Sequence, residues 1–250
     1  MSYSCIDIFK SLIVWIIALC YIVIMFPLNF IIWLMVLPFD SERVVIHWLL
    51  EYQGLALTRL IPIWEIDIEG REKSVSGTTY VIISNHQSLL DILLICCLRY
   101  KFKWISKMEN MKVPVLGWYL MMADYITVNR SNEESKTDML EKSYGCLKRG
   151  ISIMIFPEGT RSPDKEIGSF KRGAFQLAIQ ANVSILPILI DGTGGILPRH
   201  GLIFGSNHHI NISVLDPVPP VSFGTDNPDD LAQKLRSLMT SSLKELRAKI

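Results

Sequence analysis

The sequence is short of charge. Asp, Glu, Lys and Arg make up 20% of its 250 residues, against 50% apolar, and the net charge is +1. So slight a basic excess argues against a nucleic-acid partner, which needs a basic face. Cysteine is sparse and odd in number: Cys5, Cys20, Cys96, Cys97 and Cys146 include no C-x-x-C pair. That argues against a disulfide scaffold or a thiolate metal site and reads as a reducing compartment. G-x-S-x-G, G-x-x-x-x-G-K-[ST] and G-x-G-x-x-G are all missing. Their absence leaves α/β-hydrolase chemistry, nucleotide hydrolysis and dinucleotide binding without support. H-E-x-x-H is missing too, so His208-His209 reads as a surface strand start and no metal is expected. Twelve Pro and 15 Gly are too few for a collagen-like chain, and the apolar content is too high for disorder.

What is present is one concentrated apolar run. No charged residue falls between Ser11 and Phe39, and within Leu12–Leu37 only Pro27 and Asn29 are not apolar. Without that stretch the remainder is about 45% apolar, an ordinary globular value. The mean hydropathy of +0.31 therefore reports a local anchor rather than a swollen core. Leu12, Trp15, Phe26, Trp33 and Leu37 are its candidate membrane contacts. At helical rise the run could cross a hydrocarbon core of about 30 Å. Pro27 removes a helical hydrogen bond, and Leu12–Phe26 alone reaches only about 22 Å. One kinked transmembrane helix and a helix dipping into one leaflet both fit. A cleaved signal peptide fits poorly: the run is too long, Lys10 alone precedes it, and no A-x-A site follows.

Asp40-Ser41-Glu42 signals a new helix start, and Arg43–Ile61 reads as that helix, with Pro62 stopping it. Val45, Trp48, Leu49, Tyr52, Leu55, Ala56 and Arg59 share near-helical spacing. The helix suits a membrane interface or a domain core equally. Residues 1–61 are thus expected to anchor, and 62–250 to form one catalytic domain. There, strands are expected over Ile63–Ile68, Thr79–Ile83, Phe102–Ser106, Tyr125–Val128, Ile151–Phe156, Ile185–Ile190 and His209–Val214. Helices are expected over Leu89–Leu98, Pro114–Met122, Glu133–Arg149 and Gly173–Ala181. Another opens at Asn227-Pro228-Asp229-Asp230, with Leu231, Leu235, Leu238, Leu243 and Leu246 on one face. This alternation predicts an α/β fold with a mixed, largely parallel sheet flanked by helices.

Two loops follow buried strands, where α/β sheets bind ligands. In Ser84-Asn85-His86-Gln87-Ser88-Leu89-Leu90-Asp91, Asp91 at a helix start could fold back onto His86 in the loop. A carboxylate on one ring nitrogen leaves the other free as a base. Equally, Ser88-x-x-Asp91 could be a plain capping box. In Phe156-Pro157-Glu158-Gly159-Thr160-Arg161-Ser162, Gly159 permits a positive φ and Arg161 offers a fork for phosphate. The plain alternative is a turn closed by a Glu158–Arg161 ion pair. Lys107-Met108-Glu109, with Pro114 and Gly117-Trp118 beyond, and Ile126-Thr127-Val128-Asn129-Arg130 are unremarkable singly.

In order, the chain reads N-H-Q-S-x-x-D, K-x-E-x-x-x-x-P-x-x-G-W, I-x-V-x-R, F-P-E-G-T-R-S and I-L-P-I. This ordered set resembles the glycerolipid acyltransferase family, in particular its 1-acyl-sn-glycerol-3-phosphate (lysophosphatidate) acyltransferases. The likeness covers roughly residues 40–220, and the Phe170-Lys171-Arg172-Gly173 run looks familial too. Asn129 departs from it, standing where the family often has an acid.

The resemblance implies transfer of a fatty acyl group to the sn-2 hydroxyl of lysophosphatidate, giving phosphatidate. The donor would be acyl-CoA or acyl carrier protein, and no cofactor is needed. His86 would be the general base and Asp91 its orienting carboxylate. Glu158, Gly159, Thr160 and Arg161 would form the acceptor loop, with Lys107 and Arg130 also on its phosphate. The acceptor and the acyl thioester would be met at a lipid bilayer. The resemblance favours a helical hairpin in one leaflet, with the catalytic domain facing the cytosol. The same chemistry on glycerol 3-phosphate, another lysophospholipid or a hydroxylated lipid is the alternative. A silent membrane-remodelling protein is a distant one, since such proteins are expected to lose the His86/Asp91 pair.

Overall fold

Seven short strands line up as β1-β7-β6-β2-β5-β3-β4 in the computed structural model, which describes residues 4–61, 64–205 and 209–249. They are β1 (Glu65–Glu69), β2 (Tyr80–Ser84), β3 (Phe102–Lys107), β4 (Ile126–Val128), β5 (Ser152–Ile155), β6 (Ser184–Asp191) and β7 (His209–Val214). Every pairing is parallel except β6 with β7. Pro62, Ile63 and His208 lie outside the described residues.

The central strands are apolar on both faces because helices cover both. All five residues of β2 are buried. Successive side chains of a strand point to opposite faces. Val81 and Ile83 thus join one apolar layer, with α5 (Glu133–Lys148), α6 (Gly173–Ala181) and α8 (Pro228–Ala248). Tyr80 and Ile82 join the other, with α2 (Val44–Leu60) and α3 (Leu90–Cys96). The expected α/β architecture is therefore the one observed. Two short helices complete it, α4 (Leu116–Met122) and α7 (Thr193–Ile196).

The N-terminal run is one uninterrupted helix, α1 (Cys5–Val36), capped by a reciprocal Ser4/Asp7 box. Pro27 sits inside it without breaking it. At 32 residues it is about 48 Å long. It lies against the domain along its length. Ser11 Oγ accepts from Phe204 N (2.8 Å), and Trp15 Nε1 donates to Leu202 O (2.7 Å). Asn29, wholly buried, exchanges hydrogen bonds with Gln53 and donates from Nδ2 to Tyr119 Oη. The polar break in the run is thus a docking point. Of the expected lipid contacts, Trp15, Phe26 and Trp33 are half-buried against protein, Trp15 beside Phe204 and Phe26 beside Tyr119. Leu37 is half-buried and Leu12 faces out. The outward surface is aliphatic, with Ile16, Leu19, Val23, Ile24, Ile31 and Leu34 exposed.

The second helix also turns the other way. Its apolar stripe leaves Val45 and Tyr52 exposed, while Ile46, His47, Glu51, Gly54, Leu57 and Thr58 are buried. Tertiary partners, not apolar spacing, chose its inner face: His47 bonds Tyr125 Oη and Tyr100 O, both at 2.9 Å. On α8, Leu238 is exposed and Met239 takes the fourth core position, because the four-residue step from Leu231 and Leu235 lands there.

Candidate active site

The loop from β2 to α3 is held at both ends. Asn85 mimics a strand residue: its Nδ2 donates to Ile190 O (2.8 Å) and its Oδ1 accepts from Ile190 N (2.9 Å). Asp91 is fully buried in the first turn of α3 and fully used. Its Oδ2 accepts from His86 Nδ1 (2.8 Å), Gln87 N (2.7 Å) and Ser88 N (2.9 Å), and its Oδ1 from Thr193 Oγ1 (2.7 Å). Asp91 thus satisfies backbone donors and orients the imidazole at once. Ser88 Oγ donates elsewhere, to Leu197 O (2.7 Å). With Nδ1–H given to Asp91, Nε2 is the free nitrogen of His86 among the described residues. The ring lies flat on Phe156, centroids 4.0 Å apart and planes 12° apart, with Trp104 behind.

The loop after β5 locks onto the first. Glu158 is buried; its Oε1 accepts from His86 N (2.9 Å) and its Oε2 from Gly168 N (3.0 Å). Burial pushes its carboxyl above the ordinary range, and those two N–H groups pull it back. Ser162 N donates to His86 O (2.7 Å), so His86 is pinned through both backbone groups. The Glu158–Arg161 ion pair is not formed. The Glu158 carboxylate, expected on the acceptor, is here occupied by the backbone donors of His86 and Gly168. Gly159 takes φ +71°, and its carbonyl receives Arg130 Nη1. Thr160 Oγ1 accepts from Arg199 Nη2 (2.9 Å). Asn129 holds its own turn, accepting from Ser131 N and Oγ.

These loops border a cavity of about 1120 Å³. One end is basic: Lys107, Arg130, Lys136, Arg161, Lys171 and Arg172 line it. Lys107 is paired with Glu109 (3.0 Å), whereas Arg161 and Lys171 have no ion-pair partner among the described residues. Burial first, then the charges of Arg130 and Lys136, hold the Lys171 ammonium below its usual range. Lys136 and Arg172 have acids too, Glu133 (2.5 Å) and Asp229 (4.0 Å), but the cations here outnumber the acids, and such an excess marks a place for an anion. The other end is apolar, walled by Ile22, Leu57, Ile92, Leu93 and Leu120. His86 also lines the cavity. All six expected phosphate-loop residues except Glu158 thus reach the cavity. Sequence reasoning gave no role to Phe156, Lys136, Arg199 or Thr193. Lys171 and Arg172 were signalled only by their familial run, and Thr193 by nothing local.

An acyltransferase family profile matches residues 65–191. A chloroplastic 1-acyl-sn-glycerol-3-phosphate acyltransferase of Arabidopsis thaliana is 36% identical over 209 residues, 83% of this chain and 57% of that protein. The enzyme of that name from Saccharomyces cerevisiae is 31% identical over 180 residues, 70% of this chain and 59% of that one. The chain therefore spans less than two-thirds of the length of these curated relatives. In the crystal structure of the 1-acyl-sn-glycerophosphate acyltransferase PlsC from Thermotoga maritima, 96% of that chain superposes on 97% of this one. The TM-score is 0.82 and the identity 26%.

Proposed function

This chain belongs to the acyltransferase family, and from that premise we propose that it acylates the sn-2 hydroxyl of 1-acyl-sn-glycerol 3-phosphate, giving phosphatidate. The observation that carries the reading is a His86–Asp91 pair on the wall of a cavity that is basic at one end and apolar at the other. An alcohol is a poor nucleophile near neutral pH, and imidazole suits its deprotonation. Nε2 of His86 takes the hydroxyl proton as the oxygen attacks the thioester carbonyl. Asp91 stabilises the imidazolium without taking the proton itself. The tetrahedral adduct collapses, the C–S bond breaks, and the imidazolium returns its proton to the departing thiolate. A thiolate whose acid has a pKa of about 8.5 leaves readily, so no acyl-enzyme is needed. Arg161, Lys171 and Arg130 hold the phosphate, while Lys107 is a further partner once freed from Glu109. Holding the hydroxyl in place contributes through effective molarity.

The donor is an acyl thioester, acyl-CoA or acyl carrier protein, and no cofactor takes part. The domain division at residue 61 serves this chemistry: α1 and α2 seat the catalytic domain on one leaflet of the bilayer, facing the cytosol. The contacts of α1 with Phe204, Leu202, Gln53 and Tyr119 support a helix lying along the domain. His86→Ala in membranes given labelled acyl-CoA and lysophosphatidate is expected to lose at least 10²-fold of the rate, with expression and membrane association kept. Turnover within tenfold of the unmodified protein would overturn the reading.

A further inference from the structure

The connection between β3 and β4 carries a second apolar surface. Met108, Met111, Val113, Leu116, Trp118 and Met121 are each between 38% and 56% exposed. From residue 110 to 123 the only charge is Lys112. Elsewhere on the α/β domain, exposed large apolar side chains such as Val75, Leu202 and Val221 stand far apart in sequence. Six within fourteen residues form a patch, and such a patch marks a contact surface.

The patch is rigid and joined to α1. A Cβ on Gly117 would meet Met111 O at 2.1 Å, so the start of α4 is pressed onto the turn that carries Met111. Trp118 packs on Phe26 with centroids 5.0 Å apart, and Tyr119 Oη receives Asn29 Nδ2. Helix α4 thus packs against the inner side of α1, beside its exposed aliphatic side chains. The patch also borders the cavity, which Lys107, Asn110, Leu116 and Leu120 help to line. Its exposed cations are Lys107 and Lys112; of its exposed acids, Glu109 is paired with Lys107 and Asp124 with the buried Lys103 (3.5 Å), which leaves Lys112 unpaired among the described residues. Lysines rimming apolar side chains, with a tryptophan among them, suit the headgroup boundary of an anionic leaflet.

We propose that the β3–β4 connection is a lipid-docking surface, which with α1 sets the cavity mouth at headgroup depth. The proposal rests on the acyltransferase reading only in taking the acceptor to be a bilayer lipid.

The test uses the full chain with exposed Cys5 and Cys20 changed to Ser. Single cysteines replace Met111, Met121, Ile24 on α1, or Val221, and carry an environment-sensitive fluorophore. Vesicles of phosphatidylcholine and phosphatidylglycerol are added, with nitroxide-labelled lipids as quenchers. A blue shift with quenching at positions 24, 111 and 121, and none at 221, is the expected result. No response at 111 and 121 overturns the proposal, whether or not position 24 responds. So does a response at 111 that appears without vesicles and grows with protein concentration, which would mean that a second copy covers the patch. In a second measurement, the double variant M111S/M121S is expected to lose about tenfold in rate on vesicle-borne acceptor. It should keep its rate on a short-chain monomeric acceptor. Equal loss on both overturns the proposal. If the unmodified protein turns over neither acceptor, the acyltransferase reading fails and the fluorescence result alone decides the docking surface.

Discussion

At the scale of single residues, the site rests on two carboxylates with opposite duties. Asp91 works through the imidazole side chain of His86, and Glu158 through its backbone N–H. Glu158→Ala leaves the N–H groups of His86 and Gly168 without acceptors. It is expected to lower unfolding stability by about 1–3 kcal/mol and to cut kcat, with Glu158→Gln restoring part of both. Chemical denaturation and steady-state kinetics check this. Arg161 differs in kind, because its guanidinium has no ion-pair partner among the described residues. Arg161→Ala is expected to raise KM for lysophosphatidate by about tenfold or more, with unfolding stability nearly unchanged, since one charged hydrogen bond to phosphate is worth about 1.5–3 kcal/mol. A neutral acceptor should show a smaller change in the same assay. The His86–Asp91 spacing was legible from residue types, because a helix start five residues on allows the carboxylate to fold back. Thr193 was not, for it reaches Asp91 across 102 positions of sequence.

At the scale of elements, α1 and α2 show where periodicity stops deciding. An apolar run says that a helix is apolar, not which side meets protein. On α1 the choice fell to Ser11, Trp15 and Asn29, whose polar atoms found partners in the domain. Asn29→Leu would lengthen the apolar run yet strip Gln53 and Tyr119 of a partner. It is expected to destabilise the protein by about 1–3 kcal/mol. A fall in the thermal midpoint in detergent checks that outcome, and an unchanged midpoint contradicts the docking role. The Asn227-Pro228 start makes helix α8 legible in the sequence, but its inner face follows the helical step to Met239 rather than the leucine at 238. Its far end does work no periodicity announces. Arg247 binds Asp191, which also receives Gln87 beside His86, so the C-terminal helix braces the His86 loop.

At the scale of the whole molecule, pH acts through two buried groups of α2. Burial holds His47 down to about 4, and burial lifts Glu51 up to about 8, its Oε2 having no hydrogen-bond partner. Between about pH 4 and 6.5 the unfolded chain carries a proton on His47 that the native one lacks, so this group adds stability as pH rises. Between about 4.5 and 8 the native chain keeps a proton on Glu51 that the unfolded one has lost, so this group removes stability as pH rises. The two oppose up to about pH 6.5, and above it Glu51 acts alone. Stability is expected to fall on the order of 2 kcal/mol from pH 6.5 to 8 through this group, and Glu51→Gln to flatten that slope in denaturant titrations. The α/β class, the largely parallel sheet, the long apolar helix and the ordered site blocks were determined by sequence alone, because strand and helix periods and loop motifs are local. Tertiary structure alone decided which faces of α1 and α2 turn inward, that the Glu158 carboxylate is occupied by backbone donors, and how β6, α7 and α8 complete the His86 loop. Those outcomes depend on which distant polar groups can satisfy one another once water is excluded, and local sequence carries no record of that.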